Sequence, residues 1–299
     1  MKQGLKKLVY ALAKTPLCGL LRGAWNGLVW LEYQLMQVWW RCKGAKMPTP
    51  EEQEIMRRQV TFIFKSFQRQ PLAKRLYRNI QRYYPGVRVI IADDSEKPLR
   101  LTGSGLQVIY LPYDSGLSAG LNSALARVET PYVIRMDDDE LLTLRTNFHR
   151  QLAFLMAHPQ VDLVGALPMS FPVKKGWRTQ SLKNYARFSM ANAPKALKIP
   201  HNTWLDERHV VLGKIPNIFI ARTEVYRSVG YDENIHKIDH HEFFYRAAGN
   251  LVAALDTESF VAHDHCPFEP AYQQHRYDIT EDRRYIAAKH PGYFSSAKK

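Results

Sequence analysis

Asp137, Asp138 and Asp139 follow the strand-like run Tyr132–Met136 and are followed in turn by Glu140. Like charges packed this closely are costly unless a cation offsets them. An acid cluster at the end of a buried strand is where an α/β protein can hold a divalent cation against a ligand's phosphates. Alternate side chains of an extended segment point the same way, so Asp137 and Asp139 are expected to face one site and Asp138 another. Oxygen ligands favour Mn²⁺ or Mg²⁺ over zinc. A calcium EF-hand loop is excluded, because Leu142 stands sixth from Asp137 where glycine is required. The competing reading is a solvated acidic turn, and the apolar run leading straight into the acids weighs against it. The chemistry that fits is metal-assisted reaction of a nucleotide.

The surrounding pattern supplies elements to carry such a site. Val60–Phe64 and Val87–Ala92 read as short buried strands, the second ending at Asp93-Asp94-Ser95. Pro71–Tyr83 reads as a helix opened by proline, and Gly116–Val128 as a helix rich in small residues. Strands alternating with helices predict a mainly parallel sheet, whose ligands gather at the carboxyl ends of its strands. Asp93, Asp94 and Asp137–Asp139 all fall at such ends. Further on, Thr146–His158 and Glu242–Ala248 read as helices, and Val161–Leu167, Asn217–Ala221, Leu251–Leu255 and Glu258–Ala262 as strands. Phe171–Pro216, with Trp177 and Trp204, reads as loops whose tryptophans could stack on a ring of a ligand or simply pack in the core.

The chain has 299 residues, enough for one large core, and a formal charge of +14. Residues 1–46 hold eight Lys or Arg against the single acid Glu32. With four tryptophans among many aliphatic residues, this segment suits an anionic membrane surface better than a nucleic-acid groove, and no base-reading module is present. Arg22 and Glu32 interrupt it too early for a spanning helix. Ala24, Leu28, Leu31, Leu35 and Val38 share one side of a helix, which predicts an amphipathic anchor or, alternatively, a face docked on the protein's own core. Lys74, Arg78 and Arg82 form a basic helical stripe that is either a solvated face or a second contact to anionic lipid. No secretory cleavage pattern is evident, and the cysteines Cys18, Cys42 and Cys266 form no close pair, so the expected location is cytoplasmic, peripheral on the inner face of the membrane. The expected organisation is an N-terminal basic helical segment over 1–50 and a catalytic domain over 57–299, divided into a nucleotide-binding half (57–165) and a half for the second substrate (166–299).

Asp93-Asp94-Ser95, Gly116-Leu117-Ser118-Ala119-Gly120-Leu121-Asn122 and Asp137-Asp138-Asp139, in that order, resemble the inverting GT-A glycosyltransferases of family 2. Ile91–Pro98 and His241-Glu242-Phe243-Phe244 are similar to the β1,4-N-acetylgalactosaminyltransferases of the ganglioside GM2 synthase type. The resemblance runs over about residues 58–265 and implies a GT-A, Rossmann-like sheet flanked by helices. It also implies a UDP-sugar donor, a divalent cation (Mn²⁺ or Mg²⁺) and inversion at the anomeric carbon. Asp137 and Asp139 stand at the family's DXD positions, with Asp139 the main metal ligand and Asp137 reaching the ribose or the metal. Asp93 or Asp94 would accept a hydrogen bond from the uracil ring, Asn122 would lie beside the donor, and Thr61, Lys65 and Arg69 could hold nucleotide groups. Glu242 is the first choice of general base, with Asp239 the runner-up, and His263, ahead of His265, would complete the metal's ligands.

Three functions compete. The leading one transfers an N-acetylhexosamine, with N-acetylgalactosamine one candidate, from a UDP-sugar to a glycan or glycolipid acceptor in surface polysaccharide synthesis. A nucleotidyl or phosphoryl transferase could use the same acids but predicts a phosphate-cradling glycine loop, which is absent. A non-catalytic, membrane-associated nucleotide- or glycan-binding module would tolerate loss of Glu242, which the transferase would not.

Overall fold

A strand covered on both faces reads as an unbroken apolar run, and Val60–Ser66 is buried at every position but Lys65. The computed structural model describes residues 15–171, 182–269, 272–273, 275, 278–291 and 293–294. Trp177 and residues 1–14 lie outside them. In chain order the elements are α1 (Cys18–Cys42), α2 (Pro50–Gln59), β1 (Val60–Ser66), α3 (Gln70–Tyr83), β2 (Arg88–Asp93), β3 (Leu106–Tyr110), α4 (Leu117–Leu125), β4 (Tyr132–Arg135) and β5 (Glu140–Leu142). They continue with α5 (Phe148–Ala157), β6 (Leu163–Phe171), α6 (Lys183–Ala186), β7 (His209–Val211), β8 (Phe219–Arg222), α7 (Thr223–Val229), α8 (Asp239–Ala247), β9 (Ala253–Asp264) and α9 (Thr280–Lys289).

Among the described residues nine strands form one sheet in the order β3-β2-β1-β4-β8-β6-β9-β5, with β7 on β9. The β3-β2-β1-β4 block is parallel, so the carboxyl ends of β1, β2 and β4 meet along one edge. Alternation along β1 sends Phe62 and Phe64 into the core beneath α1, α2, α3 and α5, and Ile63 into the core beneath α4 and α8. The sheet crosses the expected division at residue 165, because β4 pairs β8 and β5 pairs β9.

Short elements escaped the sequence pattern. β5 and β7 have three residues each, too few to show a period. The two runs Leu251–Leu255 and Glu258–Ala262 join in the single strand β9, whose pairing with β6 shifts register between Gly165 and Leu167. α8 begins at Asp239, one turn before the expected start at Glu242.

Local signals explain the entry into the domain. Thr49 and Glu52 make a reciprocal capping box at the start of α2, with Pro50 in its first turn. α1 docks on the domain through Val29, Tyr33, Met36 and Trp40, which are buried. Tyr33 Oη donates to Leu142 O at 2.6 Å, Leu144 N donates to Gln37 Oε1 at 3.0 Å, and Trp25 Nε1 donates to Asp264 Oδ1 at 3.1 Å. The face that docks is not the one singled out from the sequence: Ala24, Leu28, Leu31, Leu35 and Val38, expected to bind a membrane or dock on the core, stay exposed, and the opposite face is covered instead.

Candidate functional site

At the carboxyl edge of the parallel block lies a cavity of about 420 Å³. Its walls include Lys65 and Arg69 after β1, Gly116 before α4, Asp137–Asp139 after β4, Asp239–His241 at the start of α8, and His263 on β9. Two antiparallel partners bring the last of these to the acids. Glu140 on β5 stands opposite His263 on β9, and Asp264 N donates to Asp139 O at 2.9 Å.

The chain leaves β4 at Arg135 and turns through Asp138 and Asp139. Strand alternation therefore does not apply, and the expectation that Asp138 faces away from the site is corrected: all three aspartates line the cavity. The buried Arg69 guanidinium pairs with Asp138, and with Asp139 Oδ2 at 2.9 Å, while stacking on the Tyr272 ring at 3.7 Å. Burial, reinforced by the neighbouring acids, raises the Asp138 pKa against the pull of Arg69. Its Oδ2 is buried with no hydrogen-bond partner among the described residues. Asp137 is more open, and its Oδ1 meets the fully buried Arg135 Nη2 at 2.8 Å.

His263 Nε2 stands 3.4 Å from Asp139 Oδ1. Neighbouring ligands of an octahedral ion, each about 2.1 Å from it, stand about 3 Å apart, so the pair suits one hard cation. Among the described residues no group of three His, Cys, Asp or Glu side chains gathers for a metal. The donor set therefore suits an ion that takes its remaining ligands from phosphate oxygens and water, as Mg²⁺ commonly does.

Asp239 occupies the first turn of α8 and is 2% exposed. Burial lifts its carboxyl to about 6, with Arg135 opposing and Asp137 adding to the rise. Its Oδ2 has no hydrogen-bond partner among the described residues. A carboxylate with an uncommitted oxygen on a cavity wall and a pKa near neutrality is equipped to take a proton.

Glu242, the first choice from sequence, is placed elsewhere, and the order of the two acids is reversed. It lies three residues, about 4.5 Å of helix rise, further along α8. There its Oε1 accepts from Arg246 Nε at 2.7 Å, His290 Nε2 at 3.0 Å and Lys289 Nζ at 3.1 Å. It ties α8 to α9 and does not line the cavity. Burial pushes its pKa up, but the bonds from Arg246, His290 and Lys289 outweigh burial and leave it lowered. Its stabilising contribution is therefore complete above the unfolded value of 4.5 and is lost as pH falls through the lower folded value. Glu242→Gln should cost about 2 kcal/mol of stability, read as a lower Tm at pH 7, with kcat of the folded protein within about threefold of wild type, since hydrogen bonding rather than chemistry is lost.

Other expectations divide in the same way. Lys65 lines the cavity and pairs with Asp94 Oδ1 at 2.6 Å, while Gly116 N donates to Asp94 Oδ2 at 3.2 Å. Burial raises the Asp94 pKa, with Lys65 opposing. Asp94 thus braces the wall from behind, and Asp93 is spent on a turn, accepting from Ser95 Oγ and Leu99 N at 2.7 Å each. Thr61 belongs to the wrong end of its strand. Five residues before Ser66 and about 16 Å away by strand rise, its hydroxyl bonds Thr130 at 2.7 Å, outside the cavity. Asn122 likewise faces away, joining α4 to the 231–233 loop through Tyr231 and Glu233.

Sequence reasoning missed Lys214, His236, His240 and His241, all on the cavity wall. Burial and then Arg187 bring Lys214 down to about 8, and burial and then Lys214 bring His241 down to about 4. The adjacent histidines beside Asp239 were the available signal for two of them; nothing local marks Lys214.

The model of the glycosyl transferase family 2 matches residues 61–228. Beta-1,4 N-acetylgalactosaminyltransferase 1 of Homo sapiens is 32% identical over 206 residues, covering 68% of this chain and 38% of that protein. Beta-1,4 N-acetylgalactosaminyltransferase 2 of Mus musculus is 29% identical over 211 residues, covering 69% and 39%. The chain thus spans about two fifths of the length of these relatives. Among solved structures, S. aureus TarS 1-349 in complex with UDP-GlcNAc superposes with a TM-score of 0.52 at 13% identity, over 80% of this chain and 73% of that one. GalNAc-T7 with UDP, GalNAc and Mn²⁺ gives 0.52 at 10% identity, over 79% and 51%. At these identities the two structures speak for the fold alone.

Proposed function

This chain belongs to glycosyl transferase family 2 and has the GT-A fold, and from that premise we propose that it moves an N-acetylhexosamine from a UDP-sugar to a hydroxyl of a glycan or lipid-linked acceptor, with inversion. N-acetylgalactosamine is the candidate sugar, since the curated relatives are named for its transfer. The observation that carries the proposal is the uncommitted Asp239 Oδ2 on the same cavity as Asp137, Asp139 and His263.

In this reading the acceptor oxygen forms its bond to the anomeric carbon and its proton goes to Asp239 Oδ2. The bond from that carbon to the β-phosphate oxygen breaks, and its electron pair leaves with UDP. Asp139 and His263 would hold Mn²⁺ or Mg²⁺, with Asp137 reaching the ion or the ribose. Such an ion offsets the charge that develops on the diphosphate. Lys65 and Arg69 line the same cavity and add positive charge beside it. Arg135 holds Asp137 and keeps a fixed cation beside Asp239. Asp94 acts on the donor only through Lys65 and Gly116. The proposal extends to surface polysaccharide synthesis by a cytoplasmic protein, peripheral on the inner face of an anionic membrane; the basic segment over residues 1–46 supports that setting.

A thermal-shift panel of nucleotide sugars tests it, followed by product analysis for the sugar that binds. A UDP-N-acetylhexosamine at a hundred times its Kd should stabilise the fold by about 2.7 kcal/mol, and should do so only with Mn²⁺ or Mg²⁺ present. If no UDP compound raises the Tm, the proposal fails.

A further inference from the structure

The fold uses one face of α1 and leaves the other bare. Leu20, Leu28, Leu31, Leu35 and Val38 are each at least half exposed, within an arc of about 100° opposite the docked Val29, Tyr33, Met36 and Trp40. Trp30 is 63% exposed. Exposed apolar surface gathered along one helix marks an interaction face rather than ordinary scatter. No described helix is long and apolar enough to cross a membrane.

The neighbouring helix carries the basic stripe read from the sequence. α3 runs beside α1, because Asn79 Nδ2 donates to Tyr33 Oη at 3.1 Å and Tyr83 Oη donates to Gln37 Oε1 at 3.5 Å. Arg78 and Arg82, one turn apart on α3, are exposed. On α1 itself Arg22 and Arg41 are exposed as well. A leucine stripe thus lies beside four exposed arginines, against the single half-buried acid Glu32 on α1. A second copy of the chain would set the same arginines against one another across a two-fold axis, whereas an anionic bilayer meets both the apolar and the basic parts.

We propose that the outer face of α1 and the basic stripe of α3 together form the surface by which this protein lies on anionic lipid. The surface is joined to the cavity by direct bonds. Trp25 on α1 and Arg75 on α3 both donate to the Asp264 carboxylate, at 3.1 and 2.7 Å, and Asp264 follows His263 on the cavity wall. Lipid docking therefore holds the cavity at a set place relative to the bilayer, which favours an acceptor glycan carried on lipid. This last step rests on the transferase reading; the docking surface does not.

Co-sedimentation of the full chain with phosphatidylcholine vesicles, with and without phosphatidylglycerol, tests the surface. Binding should require phosphatidylglycerol. The double variant Arg78→Gln/Arg82→Gln should weaken it about 10- to 30-fold, at about 1 kcal/mol per charge. Leu31→Gln/Leu35→Gln should weaken it about 100-fold or more by removing buried apolar area. Both variants change exposed side chains, so their Tm and their stabilisation by a UDP-sugar should match wild type. Wild-type binding that is absent, or equal in both variants, overturns the proposal. So does a lipid-free dimer, seen by sedimentation equilibrium, that Leu31→Gln/Leu35→Gln dissociates, since the stripe would then belong to a second copy. Loss of UDP-sugar stabilisation in the wild type would instead reject the transferase reading and leave the vesicle result standing.

Discussion

Replacing Asp239 with asparagine is expected to lower transfer by about 10²- to 10⁴-fold, the contribution of a positioned general base, while leaving UDP binding close to wild type. The side chain keeps its size and its place in the first turn of α8, so only the proton acceptor is removed. The pH profile gives the same test in the unmodified protein. Burial holds the Asp239 carboxyl at about 6, so kcat/KM should rise with pH through a limb centred near that value and flatten above it. The variant should lack that limb. Stability moves the other way. Because the folded pKa lies above the unfolded 3.8, the contribution of this group to folding is complete below 3.8 and gone above about 6. Asparagine imitates the neutral acid, so at pH 7 the variant's Tm should equal or exceed that of wild type. An inactive variant with an undiminished Tm marks loss of chemistry; wild-type turnover would reassign the base.

Asp139→Asn is expected to lower kcat/KM by about 10²- to 10³-fold, comparable to removing one group that stabilises developing charge, and to raise the Mn²⁺ concentration needed for UDP to stabilise the fold. Two interactions meet at this carboxylate, the Arg69 pair at 2.9 Å and the His263 approach at 3.4 Å. Metal titration of the UDP thermal shift separates them. If Asp139 served only to pair Arg69, the variant would lose stability and keep the Mn²⁺ dependence of that shift unchanged. His263→Ala should shift the metal dependence in the same direction by a smaller amount, since it removes a neutral ligand and leaves the carboxylate in place.

The parts of this protein legible in its sequence are those fixed by short-range pattern. Unbroken apolar runs located β1, β2 and β4, and a run that ends in acids placed Asp137–Asp139 at the carboxyl edge of a parallel sheet before any contact was known. Asp239 and Glu242 show the limit. Both are acids of one helix and both are buried, yet the packing of α9 against α8 decides that Glu242 accepts bonds from Lys289 and His290 as well as from Arg246 of its own helix, while Asp239 is left with an oxygen that has no hydrogen-bond partner among the described residues. The pairing of β5 with β9 likewise sets His263 against Asp139 across more than a hundred residues, and no local period records it. α1 makes the same point at the surface. Its sequence carries apolar residues on two sides, and it is the bonds from Tyr33 and Gln37 to the domain that determine which side is covered. Residue type and spacing thus determined the parallel strands β1, β2 and β4, the acid cluster and the charge. Which carboxylate is neutralised, which is free and which helix face meets solvent were decided by tertiary structure, because a side chain's proton affinity and exposure depend on neighbours that the chain brings together only on folding.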